Sequence, residues 1–214
     1  MSVKIKGVTL TVTILLALVG LFAGIFISQH LHFKRKVDVA AFHGTYLENP
    51  RTVNQFSLTG TDQKPFNNQS LQGHWTIVFF GFTNCGYLCP TTMAELSKMY
   101  RALEKKGVKN LPHVVMISVD PERDNLDKLA HYVNSFHPSF FGATGDDASM
   151  KLMTREMGIA YGKVPNRDST NPQSYDIQHS GALMLFNTQG ELTAFFTTPH
   201  HADLLAKDYI LLVS

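Results

Sequence analysis

Trp75-Thr-Ile-Val-Phe-Phe-Gly-Phe-Thr-Asn-Cys-Gly-Tyr-Leu-Cys-Pro90 is the stretch on which the fold turns. From Trp75 to Phe82 it is a near-continuous apolar, β-branched and aromatic run, the pattern of a strand buried on both faces of a sheet. Beyond Pro90, the residues Met93, Leu96, Tyr100 and Leu103 recur at helical spacing and predict an amphipathic helix ending near Gly107. Cys85 and Cys89 stand between strand and helix. In open α/β folds, ligands bind at the carboxyl ends of strands. A helix amino terminus at that place stabilises thiolate, the form that attacks disulfides and binds metals. Pro90 suits the first helical turn, and Gly86 is expected to allow a tight backbone between the sulfurs.

Upstream, Phe56-Ser-Leu58 reads as a strand before the turn Thr59-Gly-Thr-Asp62. Downstream, Val114 to Val119 reads as a second buried strand, and Asp124 to Phe136 and Asp147 to Met157 as helices. Residues 163–178 form a polar stretch with two prolines, predicted as a long loop and, by its length, a functional one. Ala182 to Phe186, the turn Asn187-Thr-Gln-Gly190 and Glu191 to Phe196 read as strand, turn and strand, and His201 to Val213 as a closing helix. This order predicts an α/β fold, a mixed sheet flanked by helices.

The amino-terminal region has another character. Gly7 to Ser28 holds no charged residue over 22 positions, and about 20 suffice to span the hydrocarbon core of a bilayer. The run exceeds the roughly 7–15 residues of a signal-peptide core, and no clear small-x-small cleavage site follows, so an uncleaved transmembrane helix is expected. Basic residues bracket it: Lys4 and Lys6 before, Lys34, Arg35 and Lys36 after. The positive-inside count is therefore near balance. The predicted organisation is a tail over 1–6, an anchor over 7–28, a linker over 29–50 and a globular domain over 51–214.

The formal net charge of +2 gives no argument for nucleic acid as a partner. The first 36 residues carry five of the 19 basic residues and no acid, so the body is mildly acidic. No dinucleotide-binding glycine pattern or phosphate-binding loop is present. The two cysteines are too few for a disulfide-stapled secreted fold or for a four-ligand zinc site. They fit a redox pair or two ligands of one metal. Three residues separate them, against two in thioredoxin-type pairs. On a helix, positions i and i+4 face the same way, so both sulfurs would serve one ion. Soft thiolates select Cu(I), and an added imidazole also accommodates Cu(II).

Three blocks carry a family resemblance: Val78-Phe-Phe-Gly-Phe-Thr-Asn-Cys-Gly-Tyr-Leu-Cys-Pro90, Ile117-Ser-Val-Asp-Pro-Glu-Arg-Asp124 and His179-Ser-Gly-Ala-Leu-Met-Leu-Phe-Asn-Thr-Gln-Gly-Glu191. In order and content they resemble the Sco/SenC family of copper proteins, from about Gln55 to the carboxyl terminus. The resemblance implies a thioredoxin-like fold, facing the periplasm or the mitochondrial intermembrane space. It implies a copper metallochaperone for the binuclear copper centre of cytochrome c oxidase subunit II. By the same likeness Cys85, Cys89 and His179 are the copper ligands, and Asp120 has an auxiliary role near the metal. An upstream copper donor or thiol reductant is an implied partner. The alternative is a thiol–disulfide oxidoreductase that keeps target cysteines reduced, with Cys85 and Cys89 as the redox-active pair. A peroxide-handling enzyme on the same fold is a third reading, without a separate peroxidatic cysteine motif.

The chain departs from the family pattern in two places. Gln178 stands where many members have an aspartate before the histidine, the nearest acid being Asp176, and Gly86 stands where proline is frequent. Of the ten histidines, His30, His32 and His43 are read as solvated linker residues, and His200-His201 as a helix start.

Overall fold

The computed structural model describes residues 12–24, 39–165 and 175–213. The strands in chain order are β1 (Thr45–Arg51), β2 (Ser57–Gly60), β3 (Pro65–Asn67), β4 (Thr76–Gly81), β5 (His113–Ser118), β6 (Phe141–Thr144), β7 (Tyr161–Pro165), β8 (Tyr175–His179), β9 (Leu183–Phe186) and β10 (Leu192–Phe196). The helices after residue 38 are α1 (Leu88–Lys105), α2 (Leu126–Phe136), α3 (Asp147–Glu156) and α4 (Ala202–Val213). Eight strands form one mixed sheet in the order β1-β10-β9-β4-β5-β6-β2-β3, and β7 and β8 pair separately.

The middle of the sheet follows from composition. All six residues of β4 are buried, as the run of apolar side chains predicts. It pairs in parallel with β5 in unbroken register from Thr76↔His113 to Gly81↔Ser118. On its other side it pairs antiparallel with β9. Phe79 and Phe80 are fully enclosed, and each contributes about 1.5–3 kcal/mol by leaving water.

The helices start and stop where side chains satisfy their free backbone groups. Asn125 and Asp146 cap α2 and α3 by accepting from the N–H groups of Lys128 and Ser149 at 2.8 and 2.7 Å. At the end of α1, Gly107 takes a φ of +68°, Gly107 N–H donates to Glu104 O and Val108 N–H to Leu103 O. This paired closure needs a left-handed residue, hence glycine. The amino end of α4 is capped from another element: Glu95 of α1 accepts from Ala202 N–H at 2.8 Å.

Two expectations are corrected. Residues 45–50, expected in the linker, belong to β1, which pairs antiparallel with β10. Its exposed and half-exposed residues show no clean alternation, because it is an edge strand whose partner is distant in sequence. The stretch 163–178, expected as loop, contributes to β7 and β8, which pair from Tyr161↔His179 to Pro165↔Tyr175. Residues 12–24 are helical and exposed throughout. Among the described residues no helix is long and apolar enough to cross a membrane. The anchor expected over 7–28 extends past them at both ends.

The start of the folded unit is tied to its last helix by one carboxylate. Asp208 in α4 is fully buried and accepts from His43 N–H and Gly44 N–H, each at 2.9 Å, while His43 Nδ1 lies 2.8 Å from its other oxygen. Removing the carboxylate leaves these groups without an acceptor. Asp208→Ala should lower the unfolding free energy by about 2–4 kcal/mol, measured by urea denaturation, with little change in the slope.

Candidate metal centre

Phe82 leaves the end of β4, and a turn through Thr83 and Asn84 leads to Cys85. Cys89 is the second residue of α1, and Pro90 follows within the first turn as expected. The sulfurs do not meet by helical i, i+4 spacing, since α1 begins only at Leu88. Instead the chain curls so that Cys89 N–H donates to Cys85 Sγ at 3.3 Å. Both cysteines are free thiols, Cys85 half-buried and Cys89 buried. Gly86 is not required by this curl: its φ is not left-handed and a Cβ there would meet nothing. Gly81 is the glycine that matters, because a Cβ at β4's last position would lie 3.0 Å from Cys89 Sγ.

His179 ends β8, and its Nε2 lies 3.3 Å from Cys89 Sγ. Its Nδ1 is 3.0 Å from Ser180 O, a carbonyl that only accepts, so Nδ1 carries the proton. In the neutral ring Nε2 is then a free lone pair directed at the sulfurs. Phe79 and Phe82 hold the ring by edge contacts, with centroids 6.0 and 5.6 Å away. One ligand atom each from Cys85, Cys89 and His179 lie within 4.8 Å of one another. Among the described residues this is the only such group of three or more.

The two thiols are electrostatically unequal. Cys85 sits below the ordinary thiol range because the Cys89 S–H donates to it, with smaller help from the backbone N–H groups of Cys89 and Tyr87, against the cost of burial. Cys89 is pushed up by the same bond and then by burial. The pair therefore shares one proton, with the charge on the more accessible sulfur.

Asp120, expected beside the metal, is fully buried and bonds elsewhere. It accepts from the Arg123 guanidinium and from Tyr175 Oη at 2.7 Å. Arg123 also donates to Tyr175 O at 2.9 Å and stacks 3.8 Å from that ring's centroid. Asp120 thus holds the start of β8, the strand that ends at His179. The residue that sequence reasoning missed is Asp124. Its buried carboxylate accepts from Thr83 N–H at 2.8 Å, from the Thr83 hydroxyl, from Ser118 Oγ at 2.6 Å and from Lys128 Nζ at 3.3 Å. It clamps the cysteine turn to the end of β5. Both aspartates lie in one resemblance block, and nothing local in the sequence says which one faces the turn.

Gln178, at the position where the family pattern has an aspartate, is exposed, and the Nδ1 partner of His179 is the Ser180 carbonyl. His43 bonds Asp208, His200 Nε2 lies 2.7 Å from Gly181 O, and His201 is exposed. His30 and His32 lie outside the described residues.

The SCO1/SenC family model matches residues 44–213. The mitochondrial SCO1 homolog 1 of Arabidopsis thaliana is 33% identical over 181 residues, covering 83% of this chain and 52% of that protein. The chain thus spans about half the length of that relative. A crystal structure of Arabidopsis thaliana ScoI with copper bound superposes with a TM-score of 0.68 at 31% identity, covering 74% of this chain and 95% of the other. Bradyrhizobium japonicum ScoI with copper bound gives 0.64 at 31% identity, covering 73% and 96%. The mixed sheet, the cysteine turn and these matches agree, and the chain belongs to the SCO1/SenC family.

Proposed function

We propose that this chain is a membrane-tethered copper chaperone. It binds Cu(I) or Cu(II) through Cys85, Cys89 and His179 and delivers it to the binuclear copper centre of cytochrome c oxidase subunit II. The observation that carries the reading is the convergence of two sulfurs and one imidazole nitrogen within 4.8 Å. Thiolates favour Cu(I), and imidazole extends the set to Cu(II). The copper-bound ScoI relatives support this choice of ion. Copper is the cargo. Cys85 and His179 are half-buried and Cys89 is enclosed, so ligands of an acceptor would displace the outer donors while the inner sulfur still holds.

The acceptor rests on the family resemblance, and an upstream copper donor is the partner that loading requires. The exposed helix over 12–24, with Leu16 and Phe22 66% and 68% exposed, supports a membrane anchor over 7–28. The domain would then face the periplasm or the intermembrane space. The full chain should stay with membranes after alkaline carbonate extraction, and a chain beginning at residue 38 should not. Release of the full chain would remove the anchor from the proposal.

The reduced chain should take one equivalent of copper in a competition titration, and failure to bind would end the chaperone reading. His179→Ala should weaken copper binding about 100-fold, or ~2.7 kcal/mol, while thiol–disulfide exchange continues. Cys85→Ser or Cys89→Ser should abolish both activities.

The second reading, a thiol–disulfide oxidoreductase, is favoured by the shared proton. Cys85 thiolate would attack a target disulfide, and Cys89 would then displace the mixed disulfide. The target gains two thiols, and the chain is left with a Cys85–Cys89 disulfide that a thiol reductant must reopen. The sign of the pH effect follows from the depressed Cys85 pKa: thiolate persists as pH falls below the usual thiol range. Alkylation of Cys85 in the reduced, metal-free chain should change little from pH 8 to pH 6, where an ordinary thiol slows by roughly 100-fold. Mass spectrometry should find Cys89 unmodified, and equal labelling would refute the asymmetry.

A further inference from the structure

The other end of the β4–β5 ladder brings two histidines together. β5 opens at His113, whose register partner is Thr76, two residues beyond His74. The His74 and His113 rings are neighbours, centroids 5.1 Å apart and planes at 79°. His74 Nε2, His113 Nδ1 and Thr76 Oγ1 are each buried without a hydrogen-bond partner. Buried polar atoms are nearly always satisfied, so orphans on neighbouring residues point to a ligand. Both imidazoles line a solvent-facing depression of about 370 Å³, with Tyr100, Leu111, Pro112 and Ser139. No lysine, arginine, aspartate or glutamate is in that lining, so imidazole nitrogen is its strongest donor.

The spacing suits a metal ion. An ion about 2.0–2.1 Å from two ring nitrogens at a tetrahedral angle sets the ring centroids roughly 5 Å apart. We propose that His74 Nε2 and His113 Nδ1 form a second metal site, separate from the cysteine centre, for a borderline divalent ion of the Zn(II) or Cu(II) class. Two imidazoles suit such ions, and the remaining positions are filled by water. The site lies beyond the reach of the cysteines, which stand at the opposite end of β4.

The test uses the full chain carrying Cys85→Ser and Cys89→Ser, so that neither its success nor its failure bears on the cysteine centre. Zn(II) is titrated against a chromophoric chelator. His113→Gln and His74→Gln should each weaken the tightest binding about tenfold or more, and His201→Gln, at an exposed histidine elsewhere, should leave it unchanged. In the parent chain, Zn(II) should shift the imidazole proton resonances of His74 and His113 first. Undiminished binding in a folded His113→Gln chain overturns the site, as does an equal loss in His201→Gln. If the substituted chains do not fold, the parent resonances decide. His74 and His113 signals that stay in place at saturating Zn(II) show a pocket holding water alone.

Discussion

The parallel pairing of β4 with β5 is the constraint on which the rest depends. Six consecutive residues on each strand are in register, and all but His113 are buried. A parallel pair sends both chains out at the same edge of the sheet. The cysteine turn and the connection carrying Asp120 and Asp124 must therefore emerge side by side. Asp124 turns that proximity into a fixed geometry by accepting from Thr83 on one connection and Ser118 on the other. Slipping the register by one residue would reverse which face each side chain serves and separate Asp124 from Thr83.

Much of this was legible because burial leaves a strong local mark. An all-apolar strand followed at once by an amphipathic helix announces an α/β junction, and the two cysteines lie on it. β1, β7 and β8 left no comparable mark. Their residues are mostly polar or half-exposed, so burial leaves no alternation to read; β1 takes its order from the distant β10, and β7 and β8 take theirs from each other. The roles of the two aspartates were hidden for a related reason. Asp120 and Asp124 differ in which partners the fold brings to them, and Tyr175 lies 55 residues from Asp120. The role expected of Gly86 is not needed, and a role not foreseen falls to Gly81. The space that glycine provides is needed beneath the Cys89 sulfur, and the curl between the cysteines does not need it.

His179 shows how a distant residue joins a local motif. No spacing rule connects it to Cys89, which lies 90 positions away. The antiparallel pairing of β9 with β4 makes the connection, because the chain that enters β9 must start beside the end of β4. His179 lies four residues before Leu183, whose partner in β4 is Phe79. Phe79 and Phe82 then wall the imidazole on two sides.

The chemistry of the centre follows from unequal burial of like groups. Two thiols that close cannot both ionise cheaply, so one keeps its proton and donates it to the other. Burial decides which: Cys89 is enclosed at the start of α1, and Cys85 lies at the surface of the turn. The accessible sulfur is thus the anion and the enclosed sulfur the proton store. An incoming disulfide would meet the nucleophile first. An incoming soft cation would meet the same thiolate, and the proton on Cys89 would be lost when the second sulfur ligates. Metal binding and disulfide exchange would therefore begin from one protonation state, and the His179 nitrogen would separate them, because only a metal ion would call on its lone pair.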